Sequence, residues 1–268
     1  MNTQLWPASA AATDVHDEQP VSTATGPRLT ECVLATILFA TFLGLAFWSN
    51  LDLSGGRYML FMDELITHDE VRRILESGSL SELVWNIIAF DQRYGRSMFL
   101  LTSLIALPSW LVGSEQAFII ATRMAQALFL GTSYLILSFL LIRSNILRAI
   151  AMVTLITLPS TAYYATMPKP EPLQLLFLSI FLWLFVIRQQ ATGWPWLFLG
   201  LAFGAKISVV VLIPIFVVLA WLGAEGSVRE KTRALIIGCV PQFLLGWLAS
   251  VPIILTGKSG VDTYLKWT

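Results

Sequence analysis

Charge is scarce in this sequence. Only 13% of the 268 residues are Asp, Glu, Lys or Arg, where a soluble domain carries about 25%. Seventeen acidic residues balance seventeen basic ones, and the basic ones are dispersed. A nucleic-acid partner needs a clustered basic face, so none is expected. Cysteine is scarcer still. Cys32 and Cys239 lie at the edges of or within apolar runs, with no CxxC spacing and no histidine neighbour. They read as small packing residues, not as a disulfide or a metal pair. The N-terminus lacks the basic start and early apolar region of a secretory signal, so the first apolar helix is expected to stay attached as an anchor.

What the sequence has in quantity is hydrocarbon. Hydrophobic residues make up 56% of the chain, gathered in several runs of a length suited to a bilayer. The class is therefore an all-α multi-pass membrane protein. Residues 1–30, rich in Ala, Thr, Ser, Asp and Pro, are expected to form a disordered tail. Residues 31–268 are expected to form one transmembrane domain of about seven spans: 32–48, 118–142, 149–164, 173–187, 194–204, 207–222 and 234–255. The run 99–112 is short and holds Pro108, so it is expected to lie at the interface. The run 194–204 would extend only about 16 Å at 1.5 Å per residue, against a core of about 30 Å.

Between the first two spans lies a long loop, 50–117. Within it, 63–77 reads as a helix ended by Gly78. Ser79-Leu80-Ser81-Glu82 has capping-box spacing. It opens a helix with Leu80, Leu83, Val84, Ile87 and Ile88 on one face, suited to the membrane interface or to neighbouring helices. Arg143, Arg148, Arg188, Arg229, Lys231 and Arg233 mark one side of the membrane, expected to be cytoplasmic. The loop 50–117 then faces outward, in the cytoplasmic membrane of its cell.

That topology gathers Asp63, Glu64, Arg96, Lys169, Glu171 and Lys206 on the outer side, from four separate places in sequence. Carboxylates and cations facing one cavity suit a phosphate held beside a nucleophile. The cations neutralise an anionic leaving group, and a carboxylate takes a proton from an incoming hydroxyl. Each residue also has a plainer role. Asp63 and Glu64 suit the start of the helix that follows. Arg123 either joins the cluster or snorkels to the interface. Pro168-Lys169-Pro170-Glu171-Pro172 stops and restarts helices. Glu64 and His68 are four apart on one helix face and, with Glu171, offer a possible divalent-cation site. Nothing in the sequence requires any other cofactor.

In order and spacing these motifs resemble the GT-C class of membrane glycosyltransferases, particularly the lipid A aminoarabinose transferases and the protein O-mannosyltransferases. The matching features are Met62-Asp63-Glu64 after the first helix, Gly95-Arg96 before a juxtamembrane helix ending at Gly113, and Arg123 early in the next helix. The Lys169-Pro170-Glu171-Pro172 turn and Gly200-Leu201-Ala202-Phe203-Gly204-Ala205-Lys206 complete the set. The resemblance covers residues 31 to 225. It implies a GT-C-like transmembrane helix bundle whose long first outer loop carries juxtamembrane helices. It implies a sugar moved from a polyprenyl-phosphate carrier to an acceptor hydroxyl on a glycan, lipid or protein. Asp63 would be the catalytic base, with Glu64 beside it. Arg96, Lys206, Lys169, Glu171 and Arg123 would contact substrate or phosphate, Arg96 standing where the aminoarabinose transferases have a Lys and Glu171 where they have an Asp. Such enzymes have more spans and often a soluble C-terminal domain, so the chain ending at Thr268 is expected to be a fragment, a truncated reading frame or half of a split enzyme. The alternative is a non-enzymatic lipid-linked-sugar transporter or assembly scaffold. An internal repeat would favour a transporter, and none is visible.

Overall fold

The computed structural model describes residues 29–51, 62–88, 95–187, 192–257 and 259–262. Most of the expected tail, residues 1–28, and part of the expected outer loop, residues 52–61, lie outside these, as does Arg188. Every described element is a helix. In chain order they are α1 (Leu29–Asn50), α2 (Met62–Leu75), α3 (Leu80–Ile88), α4 (Arg96–Val112), α5 (Glu115–Leu141), α6 (Asn145–Thr157) and α7 (Pro159–Thr166). Then follow α8 (Pro170–Leu182), α9 (Trp194–Ala205), α10 (Ile213–Gly223), α11 (Val228–Gly238) and α12 (Val240–Ser250). A π-helical turn extends α8 to Ile187, and a 3₁₀ turn, Ile207–Leu212, leads into α10.

Four segments are long and apolar enough to cross a bilayer: Thr30–Asn50, Glu115–Leu141, Pro170–Ile187 and Val228–Ser250. The bent pair α6–α7 makes a fifth if counted as one span. The chain is an all-α membrane protein. The sequence pattern predicts seven spans, and the difference has local causes. Residues 149–164 read as one helix, but the chain bends by 67° between α6 and α7. Pro159 at the start of α7 cannot donate to the preceding turn. Trp194–Ala205 and Ile207–Gly223 are each under 18 residues, and the first ends at Lys206.

Pro108 lies inside α4, which runs through it for 17 residues. One missing N–H does not end a helix whose inner face packs well. Met98, Phe99, Thr102 and Ala106 are buried on that face, while Leu104, Leu107 and Leu111 are exposed on the other. Gly113, with φ of 74°, closes α4 by donating to the Trp110 carbonyl, and the Ser114 hydroxyl opens α5 by accepting from the Ala117 N–H. The basic stretch 229–233 forms the first turns of α11, where Ser227 and Glu230 make a full capping box.

The core lies between α5, α8, α9 and α10. Phe181 is its centre, with Phe216 at 4.6 Å and Trp196 at 6.0 Å between ring centroids. α9 and α12 are brought together by glycine. A Cβ at Gly200 would overlap the Phe243 carbonyl, and one at Gly246 would overlap the Leu197 carbonyl. Small residues allow backbones this close, where van der Waals contact is the main attraction available between helices in lipid. The same packing seats Gly95 against Gly204, its N–H 3.4 Å from the Ala205 carbonyl. Arg96 and Lys206 are thus positioned at neighbouring backbone sites.

Candidate functional site

Among the described residues, Glu64, Arg96 and Glu171 each enter an ion pair with a residue of another element. The first lies between α2 and the start of α5, which meet through side chains spaced about a turn apart. Glu64 meets Arg123, with Nε at 2.5 Å from Oε1 and Nη2 at 3.1 Å from Oε2. One turn on, His68 Nε2 stands 3.4 Å from Glu64 Oε1, and its Nδ1 stands 3.1 Å from the Thr122 hydroxyl. Val71 packs with Phe118, and Arg72 bonds Glu115 at 2.5 Å. Glu64 is buried, 1% exposed. Burial pushes its carboxyl up, but hydrogen bonds from His68 and Arg123, with their charges, hold it below the ordinary value of 4.5.

Glu64, expected as a catalytic candidate, is held on both oxygens by the Arg123 guanidinium, which makes its carboxylate a weaker base. Asp63 belongs to the backbone of α2, and its side chain lies outside the described residues. Arg123, expected either to snorkel or to join the cluster, is the partner of Glu64.

The second pair corrects the role expected of Arg96. Its Nη1 lies 2.5 Å from Glu70 Oε2, its Nη2 donates to the Asn86 carbonyl, and the residue is fully buried. Asn86 in turn accepts from Arg73 Nε at 2.9 Å and donates to the Ser77 hydroxyl at 3.0 Å. Arg96 therefore ties α2, α3 and α4 together, and its guanidinium is not presented to a phosphate. Sequence reasoning missed Glu70. It sits in the run Asp69-Glu70-Val71-Arg72-Arg73, which reads as a solvated face, and no periodicity singles it out.

The third pair is Glu171 with Lys206. Glu171 occupies the first turn of α8, where the helix dipole favours a carboxylate. Lys206 follows the last residue of α9. Gln174, one turn beyond Glu171, donates to the Lys206 carbonyl at 2.5 Å and accepts from the Ser208 hydroxyl at 3.2 Å. Both charged side chains are partly exposed, 39% for Lys206 and 27% for Glu171. Glu171 Oε2 is nevertheless buried and has no hydrogen-bond partner among the described residues. Lys169, also expected here, places its Nζ 5.5 Å from the Tyr163 ring.

Glu171 lines a cavity of about 380 Å³. Its lining mixes Tyr134, Ser160, Tyr164, Gln174 and Ser208 with leucine and valine from α5, α8 and the 3₁₀ turn. Tyr134 and Thr161 share a hydrogen bond of 2.9 Å. The cavity thus offers hydroxyl and amide groups interleaved with hydrocarbon. These polar residues were not singled out in the sequence. The i, i+3 spacing of Glu171 and Gln174 on one helix face was the signal that could have found Gln174.

Neither Glu64 nor Arg123 lines the Glu171 cavity; Arg123 and Leu130, which does line it, are seven residues apart on α5, about 10 Å along the axis. The cation site expected from His68, Glu64 and Glu171 is corrected too. His68 and Glu64 meet, but Glu171 pairs with Lys206. Among the described residues no group of three or more His, Cys, Asp or Glu side chains is placed to hold a metal. Comparison of the chain with protein-family models, with characterised proteins and with solved structures finds no match.

Proposed function

We propose that this protein is a GT-C-like membrane glycosyltransferase that moves a sugar from a polyprenyl-phosphate carrier to an acceptor hydroxyl on the outer face of the cytoplasmic membrane. The observation that carries the reading is the Glu171 carboxylate. Its Oε2 is buried and has no hydrogen-bond partner among the described residues, beside Lys206 and at a cavity lined by both polar and apolar side chains. A buried acceptor without a donor costs about 1–3 kcal/mol. A ligand hydroxyl that reached it would remove that cost. A carrier of a sugar, a phosphate and a long hydrocarbon matches this chemistry: hydroxyls for Glu171, Tyr134 and Gln174, negative charge for Lys206, and an isoprenoid chain for the leucine and valine side chains.

In this reading the acceptor hydroxyl loses its proton to Asp63 and attacks the anomeric carbon. The carbon–phosphate oxygen bond breaks with inversion, and the carrier phosphate leaves as an anion held by Lys206 without needing a proton. Glu64 and Arg123 fix the start of α2, which carries Asp63. The ion pairing of Glu64 and of Arg96 favours a second reading, a lipid-linked-sugar binding protein without catalysis. One experiment separates them. Reconstituted protein is mixed with polyprenyl-phosphate sugar and acceptor-bearing membranes. The enzyme reading expects transfer, lost on Asp63→Asn by about a hundred- to ten-thousand-fold with carrier binding retained. Binding without transfer in the unaltered protein selects the second reading, and absence of binding removes both.

A further inference from the structure

A second cavity, of about 420 Å³, lies between α9, α10, α11 and α12, and none of its residues lines the Glu171 cavity. Buried Trp196 forms its floor, and Val217, Val218, Ile236 and Val240 form its rim. These four are 40–57% exposed, so the groove opens sideways onto the apolar surface of the helices. Along α10 it runs from Ile213 to Trp221, eight residues or about 12 Å.

One end of this hydrocarbon groove carries three cations, Arg229, Lys231 and Arg233, against two carboxylates, Glu225 and Glu230. Thr232, Leu235 and Ile236 of α11 line it. At 100° per residue, Lys231 falls on one flank of that stripe and Arg229 and Arg233 on the other. Lys231 Nζ stands 5.3 Å from the ring of Trp221, which closes this end. Glu230 keeps its negative charge but turns its carboxylate to the Ser227 N–H at 2.8 Å and hydroxyl at 2.9 Å, so it makes no ion pair with the three cations among the described residues. Tryptophan beside cations is the pattern of the bilayer interface.

We propose that this groove is a binding site for an anionic phospholipid, with one acyl chain lying from Trp221 towards Ile213 and the phosphate held among Arg229, Lys231 and Arg233. The groove supplies the chain site and the start of α11 supplies the charge. Neither depends on the Glu171 cavity or on catalysis. A zwitterionic lipid would fill the groove equally well but would gain little from the three cations.

The test uses the full chain reconstituted in phosphatidylcholine vesicles, with spin-labelled phosphatidylglycerol or spin-labelled phosphatidylcholine as probe. The quantity read is the fraction of probe immobilised by protein. The proposal expects phosphatidylglycerol to be favoured by at least about fivefold, the effect of one cation near a charged lipid. The combined Arg229→Gln, Lys231→Gln, Arg233→Gln variant should abolish that preference, and these changes on a solvent-facing stretch should leave helicity unchanged. Val217→Trp, which fills the groove, should lower immobilisation of phosphatidylglycerol towards that of phosphatidylcholine. Equal immobilisation of the two lipids by the unaltered chain overturns the proposal. An undiminished preference in the triple variant, or in Val217→Trp, overturns it as well.

Discussion

Arg123 grips both oxygens of Glu64, at 2.5 and 3.1 Å, across 59 residues of sequence. This contact fixes the start of α2 against α5, and α2 is the helix on which the proposed base, Asp63, is carried. Two residues that look like site chemistry in the sequence are here the support of the site. Glu70 and Arg96 do the same for α2 and α4.

Removing one member of such a pair leaves the other charged and buried. Arg123→Met should destabilise the protein by about 3–5 kcal/mol, as for other broken buried pairs. Glu64→Gln combined with Arg123→Met should lose less than Arg123→Met alone. Thermal unfolding in detergent, followed by tryptophan fluorescence, measures both. A double variant no more stable than Arg123→Met would show that the ion pair is not the cause.

Acid should act through the same carboxylate. Glu64 in the folded protein titrates below its ordinary value of 4.5 because His68 and Arg123 outweigh the effect of burial. The unfolded chain therefore takes up this proton more readily. The pair's contribution is complete above the unfolded value and declines as pH falls from about 4.5 through the lower folded value. Tm measured from pH 7 down to strong acid should fall in that window, and Glu64→Gln should flatten the fall. An identical acid profile for the variant would locate the acid sensitivity elsewhere.

The close approach of α9 and α12 gives a steric prediction. Gly200→Ala and Gly246→Ala each drive a methyl group into a facing backbone carbonyl, and overpacking of this kind costs about 1–3 kcal/mol. Gly44 has nothing within reach of an added Cβ, so Gly44→Ala should be neutral or stabilising by about 1 kcal/mol. Equal effects at Gly44 and Gly200 in a Tm comparison would argue against the glycine contact.

Lys206 and Glu171 should separate binding from stability. Both are partly exposed, and such a pair contributes only about 0–1 kcal/mol to folding. Lys206→Ala should therefore leave Tm within a few degrees yet weaken polyprenyl-phosphate binding by about tenfold or more, the loss of one charge-assisted hydrogen bond. Glu171→Gln, which keeps shape and one acceptor, should weaken binding of the sugar-bearing carrier more than that of the bare phosphate. Isothermal titration with the two ligands reads the difference. Unchanged affinity in both variants would remove the cavity from the carrier site.

The sequence by itself determined that this is a helical membrane protein, because hydrophobic runs and the scarcity of charge are local properties that no tertiary context reverses. It also determined the pairing of Glu64 with His68, since residues four apart on a helix must be neighbours, and the placing of Glu171 and Lys206 at helix ends, since proline and charge mark those ends. It did not determine which acid meets which base. Glu70 and Arg96 are 26 residues apart, Glu171 and Lys206 are 35 apart, and Glu64 and Arg123 are 59 apart. Those partners are set by where α2 crosses α4 and α5, and by how closely glycine lets α9 approach α12. Helix crossings are sums of many weak contacts between distant segments, and no local period carries them. Only the tertiary structure decided that Arg96 is a buried brace and that one oxygen of Glu171 has no partner among the described residues.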